Sequence, residues 1–145
     1  MVHQRFVAYS IASARESDGA ENFVIMNGNE GFLGETNVYL QYETDGYIHL
    51  FGDNYTENDG WKLISQFVLE PGVYTLTGMR EAEENSIAFQ LRLCDETGKY
   101  QYIYQWNREV TFTVFQESSI ALLARVFPFT EEIDIKARPA VYRDE

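Results

Sequence analysis

The sequence predicts an all-β protein, an antiparallel β-sandwich of the jelly-roll type, and three observations support this fold class. Apolar and polar residues alternate with a period of two in roughly ten short segments. Turn-forming residues separate these segments, with Asp45-Gly46 and Pro71-Gly72 as the clearest examples. Helical periodicity is absent, and the ten Tyr and ten Phe residues favour strands. Because regular short strands with short turns are typical of sandwiches and barrels, we expect two antiparallel sheets around one core.

Each predicted strand follows from local alternation between turn signals. Asp45-Gly46 predicts a hairpin, whereas Pro71-Gly72 predicts a type II turn at a hairpin or corner. The polar stretches 52–60 and 79–85 are expected to be solvated loops, and the charged residues after Pro139 are expected to form a tail. The predicted strands, besides a short apolar run at 23–26, are 5–12, 36–43, 47–51, 61–69, 73–77, 86–95, 99–106, 110–115, 119–127 and 133–137.

Length and charge limit the classes of function. At 145 residues, the chain is expected to form a single domain, 1–145, with one hydrophobic core. The formal net charge of −12 disfavours nucleic acid and membrane surfaces as partners, because both repel an acidic protein. No apolar run reaches the roughly 18 residues that span a membrane, and residues 1–14 are interpreted as a first strand rather than a signal peptide. Cys94 is the single cysteine, and we expect a buried, small side chain there.

Five segments between residues 36 and 142 resemble a domain of phage and prophage tail-associated proteins. They are 45–52 (DGYIHLFG), 67–78 (FVLEPGVYTLTG), 89–98 (FQLRLCDETG), 110–114 (VTFTV) with Ser119-Ile120, and 133–139 (IDIKARP). The chain departs from the family pattern in the charged loop 80–84, and residues 1–35 lie outside the match. This family resembles carbohydrate-binding-module-type jelly rolls carried on tail, baseplate or fibre proteins. The resemblance therefore implies a jelly-roll fold and a glycan ligand, although fold alone does not determine function.

The sequence offers little for catalysis or for metal binding. His3 and His49 are the only histidines, and His49 lies on a predicted strand without an evident nucleophile partner, so we expect no enzyme activity. The acidic loop 52–60 is rich in oxygen ligands that suit Ca²⁺, with Asp53 and Asp59 as weak candidates. Its spacing does not fit an EF-hand, so a solvated acidic loop is the preferred interpretation. We expect no cofactor, with Ca²⁺ as the one weak alternative.

The most informative pattern is a run of aromatic residues at every second position, Tyr100, Tyr102, Tyr104 and Trp106. All four project from one face of a strand. Because the intervening Gln101, Ile103 and Gln105 are more polar, packing of the rings in the core or in a semi-buried groove is slightly favoured over an exposed platform for sugar rings.

Neighbouring strands supply polar partners for such a platform. If the apolar faces point inward, Gln90, Arg92 and Arg125 project onto the other face of the sheet, where amides and guanidinium groups can bind sugar hydroxyls. Trp61 is a further candidate at the rim, with a core tryptophan as the alternative. Arg92 and Arg125 can equally pair with surface acids.

These observations and the resemblance together predict a non-catalytic carbohydrate-binding module, tail-associated in a phage or prophage, that recognises a cell-surface or polysaccharide glycan. The alternative is a structural virion protein of the tail or baseplate that packs in an oligomer without binding sugar. The resemblance implies a virion or extracellular location, with other tail subunits as further partners and a homo-oligomer as one arrangement.

Overall fold

The computed structural model describes residues 20–80 and 82–144, which form eleven β-strands and no α-helix. The predicted all-β class is therefore confirmed, whereas the strand expected at 5–12 and His3 lie outside the described residues. Within the described part of the chain, no helix is long and apolar enough to cross a membrane. The strands are β1 (Gly31–Phe32), β2 (Tyr39–Tyr42), β3 (Ile48–Asn54), β4 (Gly60–Leu69), β5 (Gly72–Thr77), β6 (Ile87–Cys94), β7 (Tyr100–Gln105), β8 (Val110–Val114), β9 (Ser118–Val126), β10 (Thr130–Ala137) and β11 (Ala140–Arg143).

All strand pairs are antiparallel, as expected for a β-sandwich. The hydrogen-bonded strands form three sheets rather than the two that were expected. Their strand orders are β1-β2-β3-β10, β11-β5-β8 and β4-β9-β6-β7. The strands of the last sheet carry seven of the eight predicted ligand residues, and the eighth, Trp106, directly follows β7.

One hydrophobic core lies between the sheets and draws on nearly every strand. Ile87, Phe89, Leu91 and Leu93 of β6 are fully or almost fully buried, and so are the corresponding inward residues of β9. The predicted inward faces of these two strands are thus confirmed. Since side chains alternate along a strand, the residues between them must point to the outer face of the sheet.

The Pro71-Gly72 segment is a corner and not a hairpin. β4 pairs with β9, whereas β5 pairs with β8 and β11 in another sheet. Gly72 has φ 159°, far from the roughly +80° of the third residue of a type II turn, so the predicted turn type is wrong. The Asp45-Gly46 hairpin is confirmed, because a single 3-10 turn at Thr44–Gly46 joins the paired strands β2 and β3.

Several predicted loops contribute to the sheets or to the core. β3 continues through Gly52 to Asn54, and β11 occupies the segment that was expected to be a charged tail. Met79 and Ala82, in a segment expected to be solvated, are both buried in the core. The run 23–26 forms no strand, and the amide of Phe23 donates to the carbonyl of Val141 at 3.0 Å.

Candidate functional site

The eight predicted ligand residues all lie on the outer side of the β4-β9-β6-β7 sheet. Strand register places Tyr102 of β7 beside Arg92 of β6, and Tyr104 beside Gln90. On the other side of β6, Arg125 of β9 lies between Ala88 and Trp61. Trp106 follows β7 directly. We call this surface the outer face.

The aromatic run lies on the outer face and not in the core, with Tyr100 and Tyr102 exposed and Tyr104 and Trp106 half-buried. Tyr100 is 69% exposed and Tyr102 is 49% exposed, whereas Gln105 is fully buried. The amide of Gln105 accepts from the Met79 N–H and donates to the carbonyl oxygens of Met79 and Arg108, all at 2.8–2.9 Å. The preference for core packing, which rested on the polarity of the Gln-containing face, was therefore wrong.

One half of the outer face is closed by contacts within the protein, and Arg125 lies at its centre. Its Nη2 pairs with the carboxylate of Asp59, and its Nη1 donates to the Tyr104 hydroxyl at 3.2 Å and to Oε1 of Gln90 at 3.4 Å. The amide of Gln90 is consequently buried beneath these side chains. This closed half is defined by Asp59, Gln90, Tyr104, Trp106, Arg125 and Phe127.

Aromatic rings complete the closed half. Tyr104 and Trp106 stack with their centroids 5.9 Å apart, and the Phe127 ring lies 5.0 Å from that of Trp106. The guanidinium of Arg125 lies 5.3 Å from the Phe127 ring, within cation–π range. Phe127 was not among the predicted site residues, because it follows β9 and only its position beside Trp106 brings it to this face.

The other half of the outer face is open, and it comprises Arg92, Tyr100 and Tyr102. The guanidinium carbon of Arg92 lies 5.5 Å from the centre of the Tyr102 ring. No carboxylate from the described residues pairs with Arg92, in contrast to Arg125. The open half thus combines two exposed phenol rings with a guanidinium, which are groups that bind polar ligands with flat apolar surfaces.

The remaining outward residues lie at the margins of these halves. Trp61 is 55% exposed, so it occupies the rim and not the core. Cys94 lies opposite Tyr100 and is half-buried on the outer face, where the expectation was a buried side chain.

The turn between β6 and β7 is held by the side chain of Asp95. Its Oδ1 accepts from the Thr97 hydroxyl at 2.7 Å and from the amides of Thr97 and Lys99 at 2.8 and 3.0 Å. The hydrogen bond from the Thr97 hydroxyl is the main reason why the pKa of Asp95 lies below its ordinary value of 3.8. This turn places Tyr100 at the start of β7.

We expect the Asp95 contacts to weaken only in acid. Because the folded state lowers the pKa of Asp95, the charged carboxylate stabilises the turn above the unfolded pKa, and this contribution is lost as pH falls through the folded pKa. NMR titration of the carboxyl carbon should give a pKa below 3.8. In Thr97→Ala the pKa should rise towards the ordinary value, and an unchanged pKa would contradict this assignment.

The weak metal candidates, Asp53 and Asp59, each contact another side chain of the protein. Asp53 lies in β3 rather than in a loop, and Asp59 pairs with Arg125. Across residues 20–80 and 82–144, no group of three or more His, Cys, Asp or Glu side chains is arranged to hold a metal ion. His49 lies on the β1-β2-β3-β10 sheet, where its Nε2 pairs with Asp134 and its Nδ1 lies 3.9 Å from Glu43. It thus lies in contact with carboxylates from the neighbouring strand β10 and from the residue after β2.

A second aromatic row, which the sequence did not reveal, crosses the outer side of the β1-β2-β3-β10 sheet. The Phe32 and Tyr39 rings are 5.0 Å apart, and Tyr39 lies 5.7 Å from Phe51. Phe32 is 56% exposed. The row combines three separate strands, and Phe32 lies outside every predicted strand, so no local periodicity could have indicated it.

Two depressions flank the aromatic strand and the acidic loops. One of about 400 Å³ lies beside Tyr104 and Trp106 and is also lined by Glu84 and Arg108. A wider one of about 630 Å³ lies between residues 82–86 and β10, and its lining includes five carboxylates. We place the candidate site on the open half and not in the wider depression, because the latter shares no residue with the outer face.

Comparison with known proteins shows the fold but no family. No family model matches the chain, and no curated protein matches it. A solved structure with a similar fold is described as the crystal structure of accessory secretory protein 1, 2 and 3 in Streptococcus pneumoniae. The match has a TM-score of 0.53 and 12% identity, and it covers 86% of this chain and 98% of the other. At this identity the likeness extends to the fold alone.

Proposed function

We propose that the protein is a non-catalytic carbohydrate-binding module whose ligand lies on the open half of the outer face. The observation that carries this proposal is the exposure of Tyr100 and Tyr102, side by side on one strand, with the Arg92 guanidinium beside the Tyr102 ring. Phenol rings offer flat apolar surface together with a hydroxyl, and a guanidinium offers fixed hydrogen-bond donors. Sugar rings present the complementary surfaces, an apolar face and hydroxyl groups at the rim.

The structure of the closed half supports this assignment. The Asp59–Arg125 pair and the Tyr104–Trp106–Phe127 rings hold that half in place through contacts of their own. A rigid neighbour of this kind lowers the entropic cost of binding, because fewer side chains must be ordered by the ligand. Gln90, Tyr104, Trp106 and Arg125 are thereby assigned a supporting role, and Trp61 a place at the rim. The setting that the sequence resemblance implies is a phage or prophage tail and a glycan of the host surface.

Removal of the Tyr102 ring should abolish most of the binding. Tyr102→Ala takes away one of the two exposed rings and the aromatic contact of Arg92, so we expect at least about 30-fold weaker glycan binding, as for an aromatic hot-spot residue. The melting temperature should change by only a few degrees, because the ring is about half exposed. Screening on a glycan array, followed by titration of the best ligand, measures the effect.

Tyr47→Ala is the matched control. Tyr47 is 44% exposed, close to the exposure of Tyr102, but it lies beside the β2–β3 turn and away from the outer face. Its loss should leave glycan binding unchanged. If Tyr102→Ala unfolds the protein, or binds as tightly as the Tyr47→Ala variant, the site assignment fails.

A structural virion protein is the second candidate, and the aromatic row of Phe32, Tyr39 and Phe51, in which Phe32 is exposed, favours it. Such a row on the β1-β2-β3-β10 sheet is suited to contact with another subunit. Light scattering separates the two candidates. A stable oligomer without any glycan ligand supports the structural role, whereas a monomer that binds sugar supports the module.

A further inference from the structure

The outer face differs in charge from the rest of the chain. The sequence contains 23 acidic residues and 11 basic ones. None of the outward strand positions of this sheet carries an acid, and two carry arginine. The outward positions are Trp61, Leu63, Gln66 and Val68 in β4, Ser119, Ala121, Leu123 and Arg125 in β9, Ala88, Gln90, Arg92 and Cys94 in β6, and Tyr100, Tyr102 and Tyr104 in β7.

The two arginines of this face differ in the pairing of their Nη groups, although the Nε of each is buried without a hydrogen-bond partner. Asp59 neutralises Arg125, whose Nη groups also donate to Gln90 and Tyr104. Arg92 forms neither an ion pair nor a hydrogen bond with any residue in 20–80 or 82–144, and its Nε is buried without a partner. Its two Nη groups are not buried, so they are available as donors beside the Tyr102 ring.

An uncompensated guanidinium that is half-buried is costly unless something pairs with it. Folding has already shielded one of its N–H groups from water without supplying an acceptor. A guanidinium pairs best with a planar or tetrahedral oxyanion, because two parallel N–H groups can donate to two oxygens at once.

We propose that the ligand of the open half is an anionic glycan, whose carboxylate or sulfate group accepts hydrogen bonds from the Nη groups of Arg92 while a sugar ring lies against Tyr102 and Tyr100. This inference rests on the proposed glycan-binding function and adds the chemical class of the ligand. The Arg92 guanidinium sets the specificity, and the two tyrosines provide the contact area.

The net charge of −12 does not oppose this assignment. At physiological ionic strength, charges separated by more than about 8 Å are largely screened. No acid of the described residues occupies a strand position of this face, and Asp59 is already paired with Arg125. Asp95 and Glu96 follow in the β6–β7 turn next to Tyr100, whereas Arg92 lies directly opposite Tyr102 and is the charged strand residue beside that ring.

The test is a glycan array in which each charged oligosaccharide stands beside its neutral counterpart. Uronic and sialic acid glycans are paired with their carboxyl-reduced forms, and sulfated glycans with their desulfated forms. The wild-type protein should bind at least one charged form about tenfold more tightly than its neutral counterpart. Arg92→Gln should reduce this ratio to about one, while Arg92→Lys should retain part of it. Arg143→Gln, the same change on β11 in another sheet, should leave the ratio intact.

The outcomes separate this inference from the function on which it rests. If the wild-type protein binds neutral and charged glycans equally, and this binding is lost in Tyr102→Ala but kept in Arg92→Gln, the inference of an anionic ligand is wrong. The glycan-binding function is then still supported. A complete absence of glycan binding overturns both. The melting temperature of Arg92→Gln should not fall, because an unpartnered guanidinium is replaced by a neutral amide. Tighter binding of the wild-type protein to the carboxylated or to the sulfated glycans identifies which anionic group Arg92 binds.

Discussion

Gln105→Leu should destabilise the protein by about 4 kcal/mol, since each buried polar group left without a partner costs about 1–3 kcal/mol. Gln105 is fully buried, and its amide holds the N–H and C=O groups of Met79 together with the carbonyl of Arg108. Leucine has a similar size but can satisfy none of these groups. Urea denaturation followed by intrinsic fluorescence measures the change as a lower midpoint with an unchanged slope.

Gln101→Leu is the matched control for this prediction. Gln101 lies on the same strand and the same face, opposite Leu93, and it makes no hydrogen bond with its side chain to the described residues. The same chemical change there should alter the free energy of unfolding by about 0.5 kcal/mol or less. Equal effects of the two substitutions would show that the contacts of Gln105 do not hold β7 in place.

Gln105 also explains why the orientation of β7 could not be predicted from polarity. The alternation correctly separated Tyr100, Tyr102 and Tyr104 from the residues between them. Average polarity then favoured the ring face as the core side. The structure reverses this choice, because one glutamine with three backbone partners is as well accommodated in the interior as an apolar side chain. Those partners are Met79 and Arg108, and no local pattern links them to Gln105.

The inward faces of β6 and β9 were predictable from polarity, because all of their buried residues are apolar. Buried apolar residues recur there at every second position, so the period of two and the burial of this face agree. The same alternation placed Gln90, Arg92 and Arg125 on the outer face. What it could not show is that Arg125 is paired with Asp59 and Arg92 is not, because the former contact joins residues 66 positions apart.

Local turn signals likewise do not show which strands pair with one another. Pro71-Gly72 correctly marked a change of chain direction, but the next strand joins β8 and β11 rather than returning along β4. A turn motif specifies local dihedral angles and not the sheet that the following strand enters. β11 was missed because its pairing with β5 is long-range, and Pro139 with the charged residues beyond it suggested a chain end.

Gly52→Ala should destabilise the protein by about 3–4 kcal/mol. The sequence predicts that a loop begins at Gly52, but this residue lies within β3. Its φ of +123° is one that residues with a side chain rarely adopt. A Cβ atom at this position would lie 1.9 Å from the carbonyl oxygen of Asn37, so the backbone at Asn37 must move. That movement would disturb the hydrogen bond from the Asn37 amide to the Asp53 carbonyl. Thermal and urea denaturation measure the loss.

Gly98→Ala separates the steric part of this effect from the conformational part. Gly98 also has a positive φ, +86°, but no atom lies within 4 Å of the position that a Cβ would take. Its replacement should therefore cost only the backbone strain, about 1 kcal/mol. A loss for Gly52→Ala no greater than that for Gly98→Ala would mean that β3 and the 36–38 segment do not approach as closely as the structure places them. A larger loss identifies Gly52 as a close backbone contact, the physical reason for a glycine inside a strand.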